Sequence, residues 1–219
     1  VLIGVVLSML ASSKVKSTFN KYSRVRSMAG ITGAEAAERI LRQSGIYDVR
    51  IEHISGNLTD HYDPSNKVLR LSDSVYGSTS VAAIGVAAHE CGHAVQHQVG
   101  YAPLSIRSAL VPVANFGSSL SWPIFVAGLI FSIGPLLDIG IILFLAAVLF
   151  QVVTLPVEFN ASARAIRLLD SCGILGQQEI GGTKKVLTAA ALTYVASLAA
   201  SILQLLRLLI LAGGRRRND

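Results

Sequence analysis

The chain has 219 residues, of which 52% are hydrophobic and only 15% are charged. A water-soluble domain normally carries about a quarter charged residues, so this composition argues against a fully water-exposed protein. The formal net charge of +6 could favour nucleic acid. However, no interleaving of aromatic and basic residues and no phosphate-binding loop accompanies it, and we expect no nucleic-acid partner.

The first apolar stretch, residues 1–13, predicts part of an N-terminal transmembrane helix. A signal peptide is the alternative, but no small-residue cleavage site follows the stretch. Basic residues follow directly: Lys14, Lys16, Lys21, Arg24 and Arg26. Because positive charge usually marks the cytoplasmic flank of a span, we expect the next segment to lie in the cytoplasm. Two isolated cysteines, Cys91 and Cys172, fit that reducing compartment.

Residues 14–117 predict a small α+β domain. Its expected elements are a helix at 32–45, strands at 49–54, 58–62 and 67–71, and a second helix at 80–98. Thr32 and Glu35 form a capping pattern that begins the first helix, and Gly45 ends it. The turn sequence of residues 63–66 (DPSN) predicts a hairpin between the second and third strands.

Two long stretches with few charges follow this domain. From Ser108 to Val157 the only formal charge is Asp138, and between residues 186 and 214 it is only Arg207. Since about 20 residues of helix cross the hydrocarbon core, both stretches predict membrane spans. The expected organisation is a transmembrane hairpin at 118–157, a polar segment at 158–186, and a C-terminal transmembrane helix with a basic tail at 187–219.

The hairpin is expected to contain spans at 119–137 and 139–157, joined tightly by residues 134–138. The fold class is therefore an α-helical, multi-pass protein of the cell membrane with a small α+β domain. The tail Arg215–Arg217 would face outward, against the usual preference of basic residues for the cytoplasmic side. Either the last helix does not fully cross the membrane, or these arginines are an exception to the cytoplasmic preference of basic residues.

The chemistry concentrates in His89-Glu90-Cys91-Gly92-His93 on the second predicted helix. Residues four apart project from the same helical face, so the two imidazoles can hold one zinc ion. Glu90 follows the first ligand and can accept a proton from a zinc-activated water. Cys91 is expected to be a small packing residue. The alternative interpretation is a buried histidine pair with a surface glutamate.

A catalytic zinc needs a third protein ligand. His97 continues the same face but lies about 12 Å along the axis from His89, so we expect it to be a supporting or interfacial histidine. The longer histidine motif is absent, because Gln96 and Val99 stand where its glycine and third histidine would be. Glu158 is the better candidate, since it directly follows an uncharged span and returns to the membrane face of the histidines. The alternative is an ordinary interfacial glutamate.

The run from His61 to Gln96 (HYDPSNKVLRLSDSVYGSTSVAAIGVAAHECGHAVQ), followed by a membrane hairpin and then LPVEFNASARA, resembles the membrane zinc peptidases of the YugP type. The resemblance covers nearly the whole chain, and the order of parts is also similar to the wider HtpX-like membrane metallopeptidases. It implies a zincin-like catalytic domain with Zn²⁺ as cofactor.

By the same resemblance, His89, His93 and Glu158 would be the zinc ligands and Glu90 the catalytic base. The HtpX-like pattern places an aspartate four residues after the glutamate ligand, where it orients a ligand histidine. This chain has Ser162 there. A hydroxyl can orient the histidine by a hydrogen bond, but more weakly than a carboxylate.

Residues 67–71 could offer a free strand edge to an extended peptide substrate. The alternative is a strand paired on both sides. The oxyanion of the reaction also needs a stabilising group, and His61, Tyr62 and Arg164 are candidates by polarity alone, although a structural role explains each of them better.

The predicted function is that of a zinc-dependent endopeptidase acting on membrane-associated or misfolded proteins at the cytoplasmic membrane surface. The alternative is a catalytically silent zinc-binding membrane scaffold or partner-binding subunit. Glu90 discriminates between them, because a scaffold would need the histidines but not the base. A metal transporter is disfavoured, since the spans contain almost no ionisable groups.

Overall fold

The computed structural model describes residues 2–215 of the chain. This part is mostly helical with one small sheet, as the sequence predicts. Its elements are α1 (Leu2–Tyr22), α2 (Gly33–Gln43), β1 (Arg50–Ile54), β2 (His61–Asp63), β3 (Val68–Ser72), α3 (Val81–Gln98), α4 (Ala102–Phe131), α5 (Gly134–Ser171) and α6 (Gln177–Arg215).

The chain divides into two compact units. One comprises Ser12–Ala102 and Val157–Leu192, and the other comprises the remaining described residues. The first unit contains the sheet and the histidine motif, and we call it the motif unit. Its apolar core is formed mainly by side chains from α2, β3, α3 and the stretches of α5 and α6 that belong to this unit.

Helix α2 begins as the capping pattern predicts. The Thr32 hydroxyl accepts a hydrogen bond from the Glu35 backbone N–H at 3.2 Å, and the Glu35 carboxylate accepts one from the Thr32 backbone N–H at 2.7 Å. These bonds satisfy two donors that the helix itself leaves unpaired. The helix ends before Gly45, whose φ of +73° suits glycine. Its buried face includes Ile40 and Leu41.

The sheet has the strand order β1-β3-β2. The predicted hairpin of β2 and β3 is confirmed, and the Asp63 carboxylate holds its turn by accepting from the backbone N–H groups of Ser65 and Asn66. The prediction that residues 67–71 offer a free edge is wrong. Strand β1 pairs in parallel with all five residues of β3, so the hairpin supplies one neighbour of β3 and the earlier strand supplies the other.

Helix α3 carries the histidine motif through the centre of the motif unit. The Ser80 hydroxyl caps it by accepting from the Ala83 backbone N–H at 3.2 Å. Small residues dominate its buried face, so neighbouring elements approach its axis closely. Cys91 is fully buried in this core, where its thiol lies 3.6 Å from the Ala37 carbonyl oxygen. Burial raises the pKa of that thiol, which fits the expected packing role.

Four of the described helices, α1, α4, α5 and α6, are long and apolar enough to cross a membrane. The predicted hairpin corresponds to α4 and α5, but its turn lies at Ser132 and Ile133, before the expected residues 134–138. Gly134 and Pro135 instead begin α5. Proline is tolerated in the first helical turn because its missing N–H has no partner there in any case.

The expected polar segment at 158–186 is also different in the structure. Helix α5 continues to Ser171, and α6 begins at Gln177 rather than near Leu187. With 38 residues, α5 is about 57 Å long at 1.5 Å per residue, nearly twice the thickness of a hydrocarbon core. The sequence shows where apolar character ends, but the helix continues beyond that point. Glu158 therefore lies on a continuous helix rather than on a connecting segment.

Candidate metal centre

His89 and His93 lie one turn apart on α3, with ring centroids 4.8 Å from each other and the ring planes nearly perpendicular. Both imidazoles are largely shielded from solvent. The helical periodicity predicts their shared face, and the packing of α3 inside the motif unit keeps that face away from water. Two imidazoles one turn apart on the same helical face are a typical half of a zinc site.

Glu158 reaches this pair from α5. Its Oε2 atom is 3.2 Å from His89 Nε2 and 3.6 Å from His93 Nε2. The ligand atoms of the three residues all lie within 4.8 Å of one another, and Glu158 is only 3% exposed. The structure therefore brings together the three residues that the sequence nominates as ligands, although 65 to 69 residues separate the glutamate from the histidines along the chain.

Gly92 allows this approach of α5 to α3. A Cβ atom added at this position would lie 2.5 Å from the Ala161 carbonyl oxygen and 3.1 Å from its carbonyl carbon. Real side chains do not tolerate such a separation from backbone atoms. The glycine inside the motif thus makes room for the neighbouring helix, which places Glu158 against the histidines.

The two Nδ1 atoms are held by other side chains. The Ser162 hydroxyl lies 3.1 Å from His89 Nδ1, and Gln96 Oε1 lies 3.0 Å from His93 Nδ1. Gln96 Nε2 donates to the Val157 carbonyl oxygen at 2.8 Å and to Asn160 Oδ1 at 3.0 Å. These two acceptors fix the orientation of the Gln96 amide, so its oxygen must face His93.

An amide oxygen can only accept, so His93 carries a proton on Nδ1, and Nε2, which faces Glu158, is the nitrogen available to a metal. This is the tautomer that a metal ligand requires when it binds through Nε2. The sequence interpretation missed Gln96, treating it only as a departure from a longer motif. The available signal was its position on the predicted helix, three residues after His93 and on the same side.

The electrostatics of the centre favour a cation. Burial alone lowers the pKa of His93, but the hydrogen bond to Glu158 and the negative charges of Glu90 and Glu158 outweigh it, so the pKa is raised overall. Two imidazole nitrogens and one buried carboxylate oxygen form the donor set of a catalytic zinc site with one coordination position left for water. The residues present therefore fit Zn²⁺.

Glu90, the predicted base, lies outside this ligand group among the described residues. It is only 8% exposed, and its charge acts on His93. A carboxylate is seldom buried to this extent without a partner or a function. The role of Glu90 as a catalytic base stays a prediction.

The remaining polar candidates make contacts elsewhere. His97 is exposed, and its Nδ1 atom lies 2.8 Å from the Tyr62 hydroxyl rather than in the ligand group that the described residues form. His61 Nδ1 lies 2.9 Å from the Thr59 carbonyl oxygen. Arg164 donates to Asn160 at 2.7 Å and lies over the Tyr101 ring. Each of these residues therefore has a side-chain contact outside the ligand group.

The histidine pair and a carboxylate from a distant helix form a group that could hold a metal ion, and four of the described helices are long and apolar enough to cross a membrane. The chain matches the family described as "Putative neutral zinc metallopeptidase" over residues 1–213, and it belongs to that family. It is also 51% identical over 213 residues to the protein named "Putative membrane protease YugP" of Bacillus subtilis (strain 168), covering 97% of this chain and 95% of the relative. No solved structure gives a significant match to the chain.

Proposed function

We propose that this protein is a membrane-embedded, zinc-dependent endopeptidase in which His89, His93 and Glu158 hold the metal and Glu90 is the general base. The observation that carries the proposal is the convergence of the three ligand atoms within 4.8 Å, with both histidine Nδ1 atoms held by other side chains. Membership of a zinc metallopeptidase family supports the choice of metal and reaction. The packing of α2, the sheet and α3 around one core supports a zincin-like catalytic unit.

Bound zinc would supply Lewis-acid activation of a water molecule at neutral pH. Glu90 takes a proton from the water while the water oxygen attacks the carbonyl carbon of the peptide bond. The same carboxyl group then delivers the proton to the leaving amine nitrogen as the C–N bond breaks. Gln96 and Ser162 keep the two imidazoles in fixed orientations throughout, so the ligand set needs no rearrangement during the reaction.

The proposed location of the centre is the cytoplasmic face of the cell membrane. The basic residues between 14 and 26 belong to the motif unit, and so do Arg164, Arg167, Lys184 and Lys185. Positive charge near the ends of spans favours the cytoplasmic side. A substrate bond must reach a centre whose third ligand lies on a membrane helix, so we expect peptide or protein substrates associated with the bilayer.

The decisive experiment replaces Glu90 with glutamine in the full-length protein purified in detergent. Glu90→Gln should abolish chelator-sensitive hydrolysis of a casein-like substrate while zinc stays near one ion per chain, because an amide cannot accept the proton. Glu38→Gln on the exposed face of α2 is the matched control and should keep full activity.

Three outcomes count against parts of the proposal. Loss of zinc together with activity would show that Glu90 is a ligand or a structural residue. Full activity of Glu90→Gln would contradict the metallopeptidase mechanism. A wild-type protein that binds zinc tightly but hydrolyses no peptide would instead support the zinc-binding scaffold.

A further inference from the structure

An open groove of about 190 Å³ lies between α5 and α6 in the motif unit. Six of its nine lining residues are apolar, and Lys184 is the only lining residue that carries a charge. Leu187 and Ala191 are buried in its floor, whereas Phe159 and Leu192 are 48% and 45% exposed. Large apolar side chains that share an open surface with a polar rim are typical of a binding site for an apolar group.

The exposed rims of the groove change from apolar to basic along their length. Each rim is a row of three exposed residues at four-residue spacing, so its members lie on one face of the helix. The rows are Phe159, Ala163 and Arg167 on α5, and Leu192, Thr188 and Lys184 on α6. Because only residues 172–176 connect the two helices, α5 and α6 run antiparallel. Both basic residues therefore lie at the end of the groove nearest the connection, and both large apolar residues lie at the opposite end.

The basic end has no anionic partner within the described part of the chain. Arg167 and Lys184 take part in none of the ion pairs that the described residues form. Asp170 lies one turn after Arg167, but its carboxylate accepts a hydrogen bond from the Gln177 amide at 2.9 Å. Two cationic side chains at one end of an apolar groove complement a phosphate group that carries an apolar chain.

The apolar end of the groove lies where both helices continue as candidate membrane spans. Leu192 is the last α6 residue of the motif unit, and Phe159 is among the first α5 residues of that unit. From Lys184 to Leu192 the groove extends about 12 Å along α6, at 1.5 Å per residue. One leaflet contributes about 15 Å of a hydrocarbon core that is about 30 Å thick. The order and the length of the groove thus match a phospholipid, whose charged phosphate is followed by an acyl chain directed into the bilayer.

We propose that this groove binds one anionic phospholipid, with the phosphate between Arg167 and Lys184 and an acyl chain lying along the groove. Basic sites between membrane helices on the cytoplasmic side are typical binding sites for anionic head groups. An apolar cavity of about 150 Å³ holds benzene, so this groove has room for a chain segment of about six carbons. The site does not depend on the proposed peptidase function.

The test measures lipid binding by native mass spectrometry of the full-length protein in a neutral detergent. Phosphatidylglycerol, which is anionic, is compared with phosphatidylcholine, which has no net charge, and both carry the same acyl chains. Wild type should bind one phosphatidylglycerol about tenfold or more tightly than phosphatidylcholine, since each basic contact with an anionic lipid contributes a factor of about five. The double variant Arg167→Gln, Lys184→Gln should lose this preference and change phosphatidylcholine binding by less than about twofold.

Matched variants separate the groove from general surface charge. The double variant Lys14→Gln, Lys16→Gln removes the same charge from exposed positions on α1 and should keep the wild-type preference. Ala163→Leu narrows the groove from an exposed position and should weaken phosphatidylglycerol binding about fourfold or more, since it displaces at least one methylene of the chain. Ala109→Leu, at an exposed position of α4, should leave the binding unchanged.

Four results would overturn the proposal. The first is equal binding of the two lipids by wild type, and the second is no binding of either. The third is an equal loss of phosphatidylglycerol binding in the α1 double variant and in the groove double variant, because the lipid would then respond only to net surface charge. The fourth is displacement of phosphatidylglycerol by inorganic phosphate at the same concentration, because the site would then hold an anion without a chain.

Discussion

Replacing Gln96 with methionine should weaken zinc binding although no ligand is removed. Gln96 is fully buried, and its amide contacts His93, the Val157 carbonyl oxygen and Asn160 at 3.0, 2.8 and 3.0 Å. Val157 and Asn160 flank Glu158, the proposed third ligand, on α5. The amide therefore links His93 to the helical turn that carries the Glu158 carboxylate. Methionine preserves the length of the side chain but removes its polar contacts.

Two effects of Gln96→Met are expected, one on the free energy of unfolding and one on zinc affinity. Three hydrogen bonds with a net value of about 1 kcal/mol each should lower the free energy of unfolding by about 3 kcal/mol. Loss of a partner that orients a ligand typically weakens metal affinity by about 10- to 100-fold, which corresponds to about 1.4 to 2.8 kcal/mol. The second effect follows because His93 would no longer be held in the tautomer and orientation that expose Nε2.

The measurement is zinc affinity, determined by competition with a chromogenic chelator on protein that is shown to be folded by circular dichroism. Gln98→Met is the matched control on the same helix, where the side chain is exposed. It should change zinc affinity by less than about twofold, because an exposed glutamine loses little when replaced. Zinc affinity of the folded Gln96→Met protein within twofold of wild type would refute the argument.

Three further predictions follow from the packing and the topology. Gly92→Ala should abolish zinc binding and activity, because the added Cβ atom would lie 2.5 Å from the α5 backbone. Gly181→Ala is the control and should retain both, because a Cβ atom added there meets nothing within 4 Å. Glu158→Ala should lower zinc affinity at least about tenfold, or about 1.4 kcal/mol, and unchanged binding measured by calorimetry would exclude it as a ligand. In a protein without its native cysteines, a membrane-impermeant thiol reagent added outside cells should label a cysteine at Asp138 but not one at Asn57, and the reverse pattern would place the centre on the outer face.

Local sequence patterns determined much of the fold and of the candidate centre. The capping pair Thr32 and Glu35 forms as predicted because its hydrogen bonds join residues three apart. The spacing of His89 and His93 places both imidazoles on one face of α3 through helical geometry alone. Glu158 could also be nominated from the sequence, because a carboxylate directly after a long uncharged segment is conspicuous.

Only the tertiary structure decided the features that depend on distant neighbours. Strand β3 lies in the middle of the sheet because β1, about eighteen residues earlier, pairs with its second edge, and no pattern within β3 reports that pairing. The C-terminal end of α5 and the N-terminal end of α6 were also missed. A change from apolar to polar residues reflects the surroundings of a helix and does not mark where the helix ends.

The roles of Gln96 and Gly92 belong to this second group. A glutamine three residues after a histidine can hold that histidine in one orientation only when another helix supplies Val157 and Asn160 as acceptors for its amide. A glycine within a helix becomes essential only when the Ala161 carbonyl occupies the space of its missing side chain. The sequence by itself determined which residues could bind the metal, because ligand chemistry resides in single side chains. Their convergence required the packing of α5 against α3, which is a contact between segments more than sixty residues apart.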